Sequence, residues 1–131
     1  MIGIIIVTHC DLGKEFVNAA EFIVGRMESV EVISITHSSD SEEIRKLIEE
    51  KISLLNSGEG VLILTDMFGG TPSNISLSFL QDQTVEVLTG VNLPMVIAIA
   101  QNRSDHNLKK LAEKAQEAGK VSISLAGKLL E

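Results

Sequence analysis

Aromatic side chains are scarce in this chain, which has no Trp, no Tyr and only four Phe among its 131 residues. Flavins and single-stranded bases are commonly held by stacking on aromatic rings, so a flavodoxin-like binding module is disfavoured. Cysteine is nearly absent too, since Cys10 is the only one. A single cysteine forms no internal disulfide, which is typical of a protein of the reducing cytoplasm.

Basic side chains are also in deficit, with 11 Lys and Arg against 18 Asp and Glu and a formal net charge of -7. This balance provides no basic stripe for a phosphate backbone, so we expect no nucleic-acid partner. The apolar run from Leu93 to Ala100 is far shorter than the roughly 20 residues that span a bilayer. The histidines and Cys10 lack the spacing of metal ligands, so we expect no metal site and no cofactor.

Strand-like and helix-like segments alternate along the whole chain, without a linker or a repeat. This order predicts one α/β domain over residues 1–131, with an open, mainly parallel sheet and helices on both faces. Gly119 is the predicted end of the last helix, and VSISL (121–125) has the alternation of a half-exposed edge strand. The predicted strands are 2–7, 30–36, 61–65 and 84–88, and the predicted helices include about 12–27, 94–101 and 105–118.

The segment VLILTDMFGGTPSN (61–74) is the most informative part of the sequence. It predicts a buried strand, then Asp66, then a glycine pair, and then Thr71 as the N-cap of a helix. A similar polar cluster, Thr8-His9-Cys10, follows the first strand. If these two strands are neighbours, His9 and Asp66 meet at the carboxyl edge of the sheet, where ligands bind in open α/β folds.

A histidine that accepts a phosphoryl group needs one ring nitrogen free, and a carboxylate on the other nitrogen fixes that tautomer. We therefore interpret His9 as the acceptor and Asp66 as its orienting partner. Phosphoryl transfer depends on positioning and on hydrogen-bond donors, which the backbone of Gly69, Gly70 and Thr71 and the following helix dipole would supply.

Two further side chains are candidates for support of this site. The hydroxyl of Thr8 either supports His9 or simply ends the first strand, and Asn92 either lines the crevice or caps a turn. Cys10 is expected to be a small packed residue that points away from His9, because neighbours in extended backbone face opposite ways.

The motifs IVTHCDLG, LTDMFGGTPSN and TGVNLPM together resemble the mannose-type enzyme IIA domain of the bacterial phosphoenolpyruvate-dependent sugar phosphotransferase system. The resemblance covers essentially the whole chain. It implies that His9 is phosphorylated on Nε2 by the histidine-containing phosphocarrier protein, while Asp66 holds Nδ1. The phosphoryl group then passes to a IIB component, which phosphorylates sugar brought in by the membrane subunits IIC and IID.

The resemblance also implies a cytoplasmic protein that associates peripherally with the membrane transporter. It implies a homodimer in which the C-terminal strand is swapped and pairs antiparallel with the partner's sheet. Relatives often continue into a fused IIB domain, and since this sequence ends at Glu131 we expect IIB to be a separate polypeptide. Some relatives carry Trp at the position of Phe68, so a large apolar side chain is retained here.

The alternative hypothesis from a different class is a receiver-type signalling domain that is phosphorylated on Asp66. Such a domain needs an acidic pair after its first strand to hold Mg²⁺, and Asp11 is the only acid in that position. The sequence therefore favours the phosphohistidine carrier over the receiver.

Overall fold

The computed structural model describes all residues, 1–131: four strands alternate with four helices, and two further helices follow at the C-terminus. The strands are β1 (Gly3–His9), β2 (Val30–Ile35), β3 (Val61–Thr65) and β4 (Val85–Thr89). The helices are α1 (Leu12–Val24), α2 (Ser41–Leu55), α3 (Thr71–Leu77), α4 (Leu93–Asn102), α5 (Leu108–Val121) and α6 (Ala126–Leu129). None of these helices is long and apolar enough to cross a membrane.

The four strands form one parallel sheet in the order β2-β1-β3-β4. The chain winds outward from β1 to β2, returns to β3 beside β1, and winds outward again to β4. The winding direction therefore reverses between β1 and β3, where Val7 is paired with Thr65. This reversal is the position at which open α/β sheets bind ligands, and it brings the segments after β1 and β3 together.

Helices cover both faces of the sheet, which confirms the predicted architecture. Helices α1, α4 and α5 pack on the face that carries Ile4 and Ile6, while α2 and α3 pack on the face that carries Ile5 and Val7. All four of these β1 side chains are fully buried. Burial of each contributes about 1.5–3 kcal/mol, so the strand that carries His9 at its end is firmly held in the core.

The C-terminal region differs from the sequence expectation. Helix α5 continues through Gly119 to Val121, and the predicted strand over 121–125 is not formed within the chain. Gly119 therefore lies inside the helix, and the side chains of Met95 and Asn92 occupy the space that a Cβ would need there. No strand lies beside the tail to pair with it, so the predicted pairing with a partner chain stays a prediction.

Candidate functional site

His9 and Asp66 lie side by side at the carboxyl edge of the sheet, as the sequence predicts. Nδ1 of His9 lies 2.8 Å from Oδ2 of Asp66, and the same oxygen accepts the backbone N–H of His9 at 2.9 Å. Oδ1 of Asp66 accepts the backbone N–H of Met67 at 3.0 Å. Both ends of the carboxylate are therefore occupied, and His9 is bound to it through its ring and its backbone.

The charge state of Asp66 determines the tautomer of His9. Burial raises the pKa of Asp66, but the hydrogen bonds from the backbone and ring of His9 more than offset this, and the pKa lies below its usual value of 3.8. An ionised carboxylate only accepts hydrogen bonds, so Nδ1 of His9 must carry the proton. The Nε2 atom of the neutral ring then has a free lone pair.

The His9 ring remains accessible from outside although Asp66 is largely enclosed. The side chain of His9 is 44% exposed, whereas that of Asp66 is 11% exposed. The sheet thus leaves the His9 ring half exposed while the carboxylate that holds Nδ1 is largely enclosed. A ring in this position can react with a group brought from outside, because part of it lies at the surface.

The glycine pair after β3 brings its backbone against the ring. A methyl group built on Gly70 would lie 2.8 Å from Cε1 of His9 and 3.5 Å from Nε2. Gly69 adopts φ +87°, a conformation that favours glycine. Gly70, and not Thr71, is the N-cap of α3; Thr71 is the first residue of that helix and is exposed. The N-cap prediction was wrong because the glycine takes the extended conformation that precedes the helix.

Thr8 and Asn92 stabilise the surrounding turns and make no hydrogen bond to the ring. The buried hydroxyl of Thr8 accepts the N–H of Gly13 at 2.9 Å and donates to the carbonyl of Cys10, so it fixes the turn that follows His9. Asn92 caps α4 through the N–H of Met95 and donates to the carbonyl of Gly119. The structure therefore gives Asn92 a capping role.

The packed position expected for Cys10 was wrong. Cys10 is exposed and adopts φ +50°, so it belongs to a turn and not to the extended strand on which the prediction relied. Its backbone N–H donates to the carbonyl of Ile35 at 2.8 Å, which anchors the turn to the end of β2.

Arg103 has a structural role that the sequence did not reveal. It is 4% exposed, and its guanidinium donates to the carbonyls of Ile2, Glu28 and Ser29. Burial lowers the pKa of Arg103, while the nearby carboxylate of Glu28 raises it. The residue stabilises the amino edge of the sheet, opposite the His9 edge, and its polar neighbours in the sequence give no signal of this.

Comparison with known proteins identifies the family. The family model described as PTS system fructose IIA component matches residues 3–116. The chain is 29% identical over 124 residues to the mannose-specific EIIAB component of the PTS from Escherichia coli, covering 93% of this chain but only 38% of that protein. It is 31% identical over 127 residues to the sorbose-specific EIIA component from Lacticaseibacillus casei, covering 92% of this chain and 90% of that one.

A solved structure of the PTS component EIIA from Streptococcus agalactiae is similar throughout. The TM-score is 0.88 at 27% identity, with 98% of this chain and 99% of that chain covered. These matches confirm the resemblance that the sequence motifs indicated. The chain therefore belongs to the EIIA-man family of phosphotransferase system IIA components.

Proposed function

We propose that this protein carries a phosphoryl group on Nε2 of His9 during sugar uptake by a phosphotransferase system. The observation that carries the proposal is the 2.8 Å contact between Nδ1 of His9 and Oδ2 of Asp66, with the ring half exposed. In the neutral ring this contact keeps the proton on Nδ1 and leaves the lone pair of Nε2 free, and a carboxylate behind the ring stabilises the positive charge that the ring gains on phosphorylation.

In the proposed reaction the lone pair of Nε2 attacks the phosphorus of a phosphohistidine on the histidine-containing phosphocarrier protein. The P–N bond of the donor breaks, and its electron pair remains on the donor ring. No proton is transferred, because Nδ1 of His9 keeps its proton and the ring becomes a cation paired with Asp66. In the second step the phosphoryl group passes from Nε2 of His9 to a IIB component. IIB then phosphorylates sugar brought in by IIC and IID at the cytoplasmic side of the membrane.

The backbone of Gly69, Gly70 and Thr71 is the proposed cradle for the phosphoryl oxygens. Support comes from Gly70, where the position of a built methyl group is only 3.5 Å from Nε2. The absence of a side chain there leaves room beside the reacting atom, and N–H groups close to a phosphoryl group stabilise the charge on its oxygens.

Phosphorylation on Asp66, the alternative, is disfavoured by the same geometry. Both of its oxygens already accept hydrogen bonds from backbone N–H groups, of His9 and of Met67. An acyl phosphate on either oxygen would disrupt these bonds. Nε2 of the half-exposed His9 ring makes no hydrogen bond that phosphorylation would disrupt.

The proposal is tested by intact mass after incubation with phosphoenolpyruvate, enzyme I and the phosphocarrier protein, without sugar. We expect one phosphoryl group on the wild type, lost in acid and stable in base. His9→Ala should show no adduct, and His37→Ala is the matched control because His37 is an exposed histidine outside the site. A base-labile adduct, or an adduct on His9→Ala, would contradict the assignment.

We also propose that the protein is a homodimer in which the C-terminal tail, from Val121 onward, pairs antiparallel with a sheet edge of the partner. Val121, the last residue of α5, and Ile123 and Leu125 after it alternate along the tail and are 67%, 79% and 68% exposed, and β4 has one edge without a strand beside it. Such edges readily accept another strand. Light scattering should give a dimer mass for the full chain and a monomer mass for a chain that ends at Lys120; a monomeric full chain would exclude the swap.

A further inference from the structure

Gly69 and Gly70, in the segment GGTP (69–72), are glycine for different structural reasons. Gly69 has φ +87° and nothing within 4 Å of the position of a methyl group, so only its backbone conformation favours glycine. Gly70 has φ -85° and ψ 170°, which any residue adopts without strain. At Gly70 the constraint is space, because the built methyl group lies 2.8 Å from Cε1 of His9.

We propose that Gly70 is a positioning residue for the transfer reaction: its missing side chain admits the His9 ring to the place where Asp66 binds Nδ1. The inference rests on the proposed function, because it concerns the same ring. Carbon atoms that are not bonded to each other pack at about 3.5–4.0 Å, so a methyl group at 2.8 Å requires a movement of about 0.7 Å or more.

The ring, and not the loop, is the part that must give way. Gly70 is the N-cap of α3, and its carbonyl accepts the N–H of Asn74 at 2.9 Å. The helix is fixed by the buried residues Pro72, Ser73, Ile75 and Ser76. The other close neighbour of the built methyl, Met67, is half exposed and free to move, and its Cγ is 3.4 Å away. The His9 ring is therefore displaced, while its backbone N–H stays bound to Asp66.

Displacement of the ring has two consequences for transfer. It lengthens or bends the 2.8 Å contact between Nδ1 and Oδ2, so the favoured tautomer loses its support. It also shifts Nε2 relative to the incoming phosphorus, and a misplacement of about 1 Å costs roughly a hundredfold in rate. We expect Gly70→Ala to reduce kcat of phosphoryl transfer by at least about tenfold.

The experiment compares Gly70→Ala with two matched glycine variants. Gly69→Ala strains the backbone without touching the ring, and Gly58→Ala introduces the same kind of strain in the turn before β3, at the amino edge of the sheet and away from the ring. Nitrogen-15 NMR of the His9 ring reports its tautomer. We expect altered ring-nitrogen shifts in Gly70→Ala, and wild-type shifts and rates in folded Gly58→Ala. Gly69→Ala should weaken the fold more than it changes the ring signals.

A double-mutant cycle isolates the contact with the ring. Gly70→Ala should lower the folding equilibrium constant in the wild type, but not in a His9→Ala background, where the methyl group has room. Gly69→Ala should have the same effect in both backgrounds. If Gly70→Ala alone does not fold, the double variant should fold, and its failure to fold would overturn the proposal.

Unchanged ring signals in Gly70→Ala, or an equal loss of stability in both backgrounds, would likewise overturn the proposal. These two readouts do not require phosphorylation. If the wild type accepts no phosphoryl group, the proposed function fails, while the ring signals and the cycle still decide whether Gly70 positions His9.

Discussion

Replacement of Asp66 by Asn tests how the carboxylate acts on His9. Asp66 accepts three N–H groups, two from His9 and one from Met67. An amide has a single oxygen, so an Asn side chain has two orientations in this site. In the first orientation the oxygen accepts from His9, and the amide NH₂ group faces the N–H of Met67, so that two donors meet. In the second orientation the oxygen accepts from Met67, and the NH₂ group faces the backbone N–H of His9.

The surroundings favour the first orientation. Met67 is 54% exposed, so water can satisfy its N–H, whereas the N–H of His9 is partly buried. An unsatisfied buried N–H costs about 1–3 kcal/mol. The first orientation keeps the proton on Nδ1 and loses only the negative charge. The second donates to Nδ1, which moves the ring proton to Nε2 and blocks the nucleophile.

The rate of phosphoryl transfer should therefore fall in Asp66→Asn by roughly 2-fold to 30-fold. A hydrogen bond to a charged group contributes about 1.5–3 kcal/mol and a neutral one about 1 kcal/mol, so the variant loses about 0.5–2 kcal/mol of support for the phosphorylated ring. At about 1.4 kcal/mol per factor of ten, this gives the stated range.

The assay is rapid-quench transfer from the phosphorylated carrier protein, with ring-nitrogen NMR on the unphosphorylated variant. Wild-type rates in Asp66→Asn would refute the role of the charge. A much larger loss, together with a proton on Nε2 in the spectrum, would show that the second orientation prevails and that the tautomer dominates.

Three further predictions concern stability. Because the pKa of Asp66 is lowered in the folded state, its contribution to stability is complete above about pH 4. That contribution is lost as the pH falls through the folded-state pKa, which lies below 3.8. The free energies of unfolding of the wild type and of Asp66→Asn should therefore converge at acid pH. Arg103→Met leaves three carbonyls without their donor and should reduce the free energy of unfolding in urea by about 3 kcal/mol, with His9 phosphorylation unchanged. Asn92→Ala removes the cap of α4 and should lower the free energy of unfolding by about 1 kcal/mol, again without effect on phosphoryl transfer. A large loss of transfer would show that Asn92 takes part in the site.

The sequence predicted that His9 and Asp66 lie close together, because the signals for the two strand ends are local. The β-branched run before His9 and the apolar run before Asp66 each indicate a buried strand, and the polar residue that follows must lie at the strand's end. Only the adjacency of the two strands required an assumption about topology. The pairing of Val7 with Thr65 confirms that assumption.

The features that the sequence missed depend on contacts between distant segments. Gly119 is a plausible helix stop by residue type, yet it lies within α5, where Asn92 and Met95 pack against it and leave no room for a side chain. Arg103 stands among polar residues that predict a surface position, and its carbonyl partners lie about 74 to 101 residues away in the sequence. Residue propensity gives no information about either contact.

Contacts with two segments hold the backbone of His9 and one side of its ring. Oδ2 of Asp66 binds the backbone and Nδ1 of the same residue, which fixes the ring relative to the end of β1. Gly70 closes the Cε1 edge, and Thr8 and Cys10 fix the turn that follows. In the proposed function, His9 receives the phosphoryl group from one protein and delivers it to another through the same atom. A fixed ring would meet this requirement, because Nε2 would present the same geometry to both partners and only the partners' own side chains would need to differ.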